Sequence, residues 1–157
     1  MEVIDVIIPA FNEGGSIKKV LNDIPKNVVR EVVVVNNNST DNTGENAKSG
    51  GATVLDEPRQ GYGWACLKGM DYISKKAEKP SIIVFMDGDY SDHGEEMESL
   101  VSPIISDNND LVIGSRALGI KEKGSMTPQQ VFGNWLSTKL MKLFYNVNFT
   151  DLGHIGL

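Results

Sequence analysis

Two acidic side chains separated by one small residue, Asp87-Gly88-Asp89, stand directly after the apolar run Ile82-Ile83-Val84-Phe85-Met86. Two carboxylates this close repel each other until a cation lies between them. Oxygen-only ligands favour Mg²⁺ or Mn²⁺ over zinc, so a hard divalent cation and the phosphates it binds are the chemistry to expect. Acids at a strand end can also cap the next helix, and Asp92 suits that role better than Asp87 or Asp89. His93 reads as a local hydrogen-bonding residue.

Four other segments carry residues of the same kind. Pro9-Ala10-Phe11-Asn12-Glu13 offers a proline that fixes the backbone, an aromatic face for a base, and two polar side chains for a ribose or base edge. Asn36-Asn37-Asn38-Ser39-Thr40-Asp41 presents amides that both donate and accept, or alternatively forms a turn and a helix cap. In Glu57-Pro58-Arg59-Gln60-Gly61-Tyr62-Gly63 the glycines allow close backbone approach and a helix start follows. Gly114-Ser115-Arg116 ends in a guanidinium that could clamp a phosphate or form a surface ion pair. The glycine pattern is not a dinucleotide-binding fingerprint, because Cys66 fills the third glycine position and no such motif follows the first strand.

The elements that must position these loops alternate. Val3–Ile8, Val28–Val35, Ala52–Leu55, Ile82–Met86 and Leu111–Ile113 read as short strands. These runs are nearly all apolar, with charges only at Asp5 in the first and at Arg30 and Glu31 in the second, and suit a parallel sheet buried on both faces. Gly15–Ile24, Asp41–Ser49, Gly63–Ala77 and Gly94–Ile105 read as amphipathic helices. Their stripes are Ile17/Val20/Leu21/Ile24 in the first, Cys66/Met70/Ile73/Ala77 in the third and Met97/Leu100/Val101/Ile104 in the fourth. This order predicts an α/β/α sandwich around a mostly parallel central sheet, with ligands at the carboxyl ends of the strands. A further amphipathic helix is expected over Pro128–Tyr145 after a glycine-containing linker, Ala117–Thr127. Its apolar stripe would face the core, a lipid acceptor or a partner.

The 157 residues suffice for one domain, and 40% apolar with 23% charged residues is an ordinary soluble composition. The net charge of -6 argues against nucleic-acid binding. Residues 115–157 carry five basic and two acidic side chains, a surface that could face phosphates or an anionic membrane. The single cysteine, Cys66, excludes an internal disulfide and fits a cytoplasmic location, peripheral to the membrane if at all. Asp5 interrupts the first apolar run and Pro9 ends it, so no signal peptide is expected.

Taken together, Val6–Glu13, Val34–Asp41, Arg59–Gly63, Met86–Ser91 and Gly114–Arg116, followed by Gly124–Thr127, Phe132–Asn134 and Thr150–Gly153, resemble family-2 glycosyltransferases of the GT-A fold. The nearest likeness is to the dolichol-phosphate and other polyprenyl-phosphate sugar transferases. The resemblance implies a metal-dependent, inverting hexosyltransferase that uses a UDP-sugar or GDP-mannose. It implies that Pro9, Phe11 and Glu13 hold the nucleotide and that Asn37 occupies a base-reading position, acidic in many relatives. Gly61 would line the donor site. Asp87 would contact the nucleotide, Asp89 would ligate Mg²⁺ or Mn²⁺ with Ser91 as a further ligand, and Arg116 would meet phosphate. Residues 1–116 would form the nucleotide-sugar half of a single catalytic domain, and 117–157 the start of an acceptor-side segment. Relatives continue past the Thr-Asp-Leu-Gly element, whereas this chain reads His154-Ile155-Gly156-Leu157, so a C-terminally truncated acceptor side is expected. A homo-oligomer or a separate C-terminal partner would complete it.

Two other readings compete. A nucleotidyltransferase would need a glycine-rich loop with a basic residue after the first strand, which Pro9–Glu13 lacks. A nucleotide-sugar-binding module without turnover would use the same loops as a partner or regulatory element.

Overall fold

The computed structural model describes residues 2–107 and 109–114, together with Trp135, Thr138, Lys139 and Lys142. Arg116, the linker 117–127, most of 128–145, Asp151 and the 150–153 element lie outside the described residues. The chain divides into two units, Met1–Ser102 and Pro103–Leu157.

The first unit is built on four parallel strands, β1 (Ile4–Ala10), β2 (Val29–Asn36), β3 (Thr53–Asp56) and β4 (Ile82–Phe85), in the order β3-β2-β1-β4. The helices are α1 (Ile17–Asp23), α2 (Thr43–Ser49), α3 (Tyr62–Ser74) and α4 (Met97–Asp107), the last entered through a 3₁₀ turn at Gly94–Glu96 and crossing the boundary between the units. The chain steps from β1 outward to β2 and β3, then returns past β1 to β4. Right-handed crossovers therefore put α1 and α2 on one face and α3 on the other. The winding reverses between β1 and β4, and a crevice opens where their carboxyl ends part.

Strand β1 is the centre of this arrangement. It is paired along its whole length with β2, but with β4 only from Ile4 to Ile7. The Ile7 carbonyl accepts the Met86 amide and the Ala10 carbonyl accepts the Asn37 amide, so odd and even residues of β1 bond to opposite neighbours. Pro9 lies on the β4 side, past the last β1–β4 pair, where its missing N–H costs no ladder bond. Pro9 and Ala10 thus extend the strand beyond its expected end at Ile8.

The stripe Ile17, Val20, Leu21 and Ile24 is buried as its spacing requires. Helix α3 differs from expectation. Its buried residues are Ala65, Gly69 and Ile73, while Met70 is exposed. A Cβ on Gly69 would lie 2.7 Å from Ile7 Cγ2, so small residues let this helix settle on β1 and the larger side chains turn outward. Leu111–Ile113 forms no strand, with Leu111 75% and Ile113 57% exposed. A three-residue apolar run becomes a strand only where another backbone pairs with it. In the second unit Trp135, Thr138, Lys139 and Lys142 are helical, and the Thr138 hydroxyl donates to the Trp135 carbonyl at 3.0 Å.

At the opposite end of the sheet from the crevice, Asp5 is fully buried yet ionised. Arg30 donates to both its oxygens (2.9 and 2.6 Å) and Lys76 to one (2.6 Å). Lys76 also pairs with Glu31, which accepts from the Thr53 hydroxyl at 2.5 Å and from the Tyr72 hydroxyl at 3.1 Å. Burial alone would raise the pKa of Asp5, but the hydrogen bonds from Arg30 and Lys76 outweigh it and hold the carboxyl below its ordinary value. The network ties β1, β2, β3 and α3 together.

Replacing Asp5 with alanine leaves two cations facing each other and is expected to destabilise the protein by about 3–5 kcal/mol in chemical denaturation. Asp5, Glu31 and Glu57 all have folded-state pKa values below the ordinary carboxylate value. Their contribution to stability is complete above about pH 5 and is lost as pH falls through about 4 toward the depressed values. Melting temperature should therefore be flat near neutrality and fall below about pH 4, with a shallower fall in Asp5→Ala.

Candidate functional site

A cleft of about 200 Å³ opens at the carboxyl ends of the strands, lined by Pro9, Ala10, Phe11, Glu13, Asn37, Tyr62, Ala65, Asp87 and Asp89. The first loop gives it one wall. Phe11 is 44% exposed, an aromatic face presented to solvent rather than packed in the core. Asn12 takes a left-handed backbone (φ 57°), a conformation asparagine tolerates. Its side-chain oxygen accepts the Thr40 amide at 2.9 Å, and its own amide donates to Ser39 Oγ at 3.0 Å. The Glu13 amide donates to Thr43 Oγ1 (2.8 Å) and the Gly14 amide to Asp41 Oδ2 (2.9 Å). The Thr43 hydroxyl in turn donates to Asp41, holding that carboxyl below its usual pKa. The loop after β1 is thus clamped to the loop after β2.

Asp87-Gly88-Asp89 forms the facing wall. The Ser16 hydroxyl lies 2.7 Å from Glu13 Oε2 and 2.8 Å from the Gly88 carbonyl, so one proton shared between them joins the two walls. A Cβ on Gly88 would meet Glu13 Cγ at 3.3 Å, with Ala10 Cβ and Ile8 Cγ2 at 3.5 Å. The small residue between the acids lets this loop close on the first. Asp89 Oδ1 accepts the Ser91 amide at 2.9 Å, and Asp92 Oδ2 accepts the Asp87 amide at 3.0 Å, so Asp92 turns back toward the acidic pair. Between them Tyr90 has φ 68°, a strained conformation costing about 1–2 kcal/mol. Its ring lies 5.7 Å from the Lys19 ammonium of α1, and the Asp23 carboxylate at the end of that helix raises the pKa of its hydroxyl.

The third wall comes from the segment after β3. Glu57 is 2% exposed, and the Arg59 guanidinium beside it holds its pKa down at about 2. Arg59 also stacks 3.9 Å from the Trp64 ring. Gly61 sits at φ 136°, which glycine alone adopts without strain, and turns the chain into α3. Burial pushes the Tyr62 hydroxyl up to about 12, with Cys66 and Asp87 adding to it. Burial likewise raises Cys66, so its thiol stays protonated near neutrality and is not a primed nucleophile.

The structure therefore gathers Pro9, Phe11, Glu13, Asn37, Asp87 and Asp89 around one cleft, with Gly61 and Ser91 in the adjoining turns. Arg116 lies outside the described residues. Sequence reasoning did not single out Ser16 or the cleft-lining roles of Tyr62 and Ala65; Tyr62 was signalled only by following Gly61. No cluster of three or more His, Cys, Asp or Glu side chains suited to a metal occurs among the described residues. Two carboxylates nonetheless fit Mg²⁺ or Mn²⁺, which commonly takes one or two from protein and completes its shell with phosphate oxygens and water. His93 is exposed and pairs with Glu95 at 3.6 Å, away from that role.

Comparison with known proteins agrees with this arrangement. The chain is 33% identical to the low-salt glycan biosynthesis hexosyltransferase Agl6 of Haloferax volcanii over 98% of this chain and 37% of that one. It is 32% identical to protein RfbJ of Shigella flexneri over 72% of this chain and 84% of that one. It superposes on the glucosyl-3-phosphoglycerate synthase of Mycobacterium tuberculosis, solved with Mn²⁺, uridine diphosphate and phosphoglyceric acid, with a TM-score of 0.57 and 29% identity. That match covers 67% of this chain and 39% of that one. The chain thus spans well under two thirds of the length of Agl6 and of this synthase. Residues 5–156 match the glycosyl transferase family 2 domain, and the α/β fold with its parallel sheet is that of its GT-A neighbours; the chain belongs to glycosyl transferase family 2.

Proposed function

We propose that the cleft binds a nucleoside diphosphate sugar and that the chain serves the transfer of its hexose, with inversion, to an acceptor. The observation that carries this reading is the meeting of Asp87 and Asp89 with Glu13 and Phe11 in one cleft where the sheet winding reverses. Phe11 offers a face for the base, Glu13 an acceptor for a ribose hydroxyl, and Asp89, with Asp87 and Ser91, the ligands for Mn²⁺ or Mg²⁺. The cation, when bound, supplies positive charge against the diphosphate. Uridine diphosphate is the preferred nucleotide, since the M. tuberculosis synthase is solved with it, while GDP-mannose remains the donor to compare.

In the reaction the bond between the anomeric carbon and the diphosphate oxygen breaks as the acceptor oxygen bonds that carbon from the opposite face. A polyprenyl phosphate acceptor arrives ionised and needs no base from the protein. Arg116 is the residue proposed to meet its phosphate. No helix of the described residues is long and apolar enough to cross a membrane. The five basic side chains of residues 115–157 would favour an anionic lipid surface. Donor binding without turnover, by the same cleft residues, is the reading to be separated from transfer.

Calorimetric titration of UDP and GDP, with and without Mn²⁺, tests the donor site. Metal should strengthen UDP binding, and Asp89→Ala should weaken the metal-dependent part at least about tenfold while lowering the melting temperature by no more than a few degrees, from loss of its bond to the Ser91 amide. An Asp89→Ala variant indistinguishable from wild type would sink the metal assignment. Transfer of labelled glucose from UDP-glucose to a polyprenyl phosphate separates the transferase from the binding module: tight UDP binding with neither transfer nor donor hydrolysis would leave only the latter.

A further inference from the structure

Asn37 lines the cleft but is only 4% exposed, and its side chain is engaged by the protein itself. Its Nδ2 donates to the Glu57 carbonyl at 3.0 Å and to the Arg59 carbonyl at 2.7 Å. Its Oδ1 accepts the Gly61 amide at 2.7 Å. A primary amide has two hydrogens, and both are spent. The segment these bonds hold runs from the end of β3 into α3 and carries Tyr62 to the cleft wall. Asn37 is fixed in turn, because its own backbone amide donates to the Ala10 carbonyl at 2.8 Å.

We infer that Asn37 is a positioning residue, a latch that holds residues 57–61 so that Gly61 and Tyr62 wall the cleft, and that its amide hydrogens take no part in discriminating a base. The affinity consequence rests on the nucleotide reading of the cleft; the latch itself does not. Asparagine is required by chemistry as well as shape. An aspartate of the same size would set a charge against two carbonyl oxygens and lose both donations. Protonation would return one donor, and burial beside two carbonyls favours that protonated form. Between about pH 5 and about pH 8 Glu57 and Arg59 on the latched segment keep their charges, paired with each other, and Tyr62 stays neutral. Asp87 and Asp89 face the cleft alike in wild type and variants.

The test compares wild-type protein with Asn37→Asp and Asn37→Ala by amide hydrogen exchange at Gly61 and by titration with UDP and GDP in the presence of Mn²⁺. Exchange at Gly61 should quicken at least about tenfold in Asn37→Ala, which removes its acceptor, and less in Asn37→Asp, which keeps an acceptor oxygen while losing both donations; affinity for UDP and GDP should fall by one common factor in each, about tenfold in Asn37→Ala. Relative to wild type, the Asn37→Asp deficit should shrink from about pH 8 to about pH 5, while the Asn37→Ala deficit stays constant. A deficit confined to one base, with Gly61 as protected as in wild type, would show that Asn37 reads the base and overturn the latch. Unchanged Gly61 exchange in both variants would overturn it as well. If wild type binds neither nucleotide, the nucleotide reading fails and the Gly61 exchange still decides the latch. Should Asn37→Asp fail to fold, Asn37→Ala carries the same decision.

Discussion

Strand β1 is hydrogen-bonded on both sides as far as Ile7 and on only one side after it. The site depends on that asymmetry. Up to Ile7 the strand is buried between two neighbours and its apolar side chains hold the core. Beyond it β4 has ended, so the last residues of β1 face an opening. Proline is tolerated there because no partner seeks its N–H. The opening admits the loops after β1 and β4, and the helices that follow each strand direct their starts toward it. A parallel sheet cannot reverse its winding without creating such a gap, and this chain places its paired carboxylates beside it.

The other end of the sheet has the opposite character. Asp5, Arg30, Lys76 and Glu31 close it with charge rather than apolar contact. The desolvation cost of a fully buried carboxylate is met by two cations that reach it from β2 and from the end of α3. The two ends are thereby divided in function. The carboxylates at Asp5 and Glu31 are neutralised within the protein, whereas Asp87 and Asp89 face a cleft in which a cation can be held.

Much of this was legible in the sequence, because the strands are predominantly apolar runs and α1 shows a clean stripe. The acidic pair and the first loop were legible because their residue types serve chemistry better than they serve packing. What was not legible depended on partners distant in the chain. Arg30 and Glu31 looked like interruptions of an apolar strand until Asp5 and Lys76 were beside them. Helix α3 has large apolar residues at helical spacing, yet Ala65 and Gly69 face the sheet, because contact with Ile7 rewards small size over hydrophobicity. Leu111–Ile113 has the composition of a strand and no pairing. The asparagine run suggested amides offered to a ligand, whereas Asn37 spends its donors on the segment after β3.

Gly88 and Glu13 are far apart in the chain, yet they meet across the cleft. A Cβ at position 88 would rest in ordinary contact with Ala10 and Ile8 at 3.5 Å and would press on Glu13 Cγ at 3.3 Å. A larger residue between the two aspartates would therefore be felt first by Glu13, whose side chain would have to shift by a few tenths of an ångström. The spacing of the acidic pair and the aim of the first loop's carboxylate are thus mechanically linked.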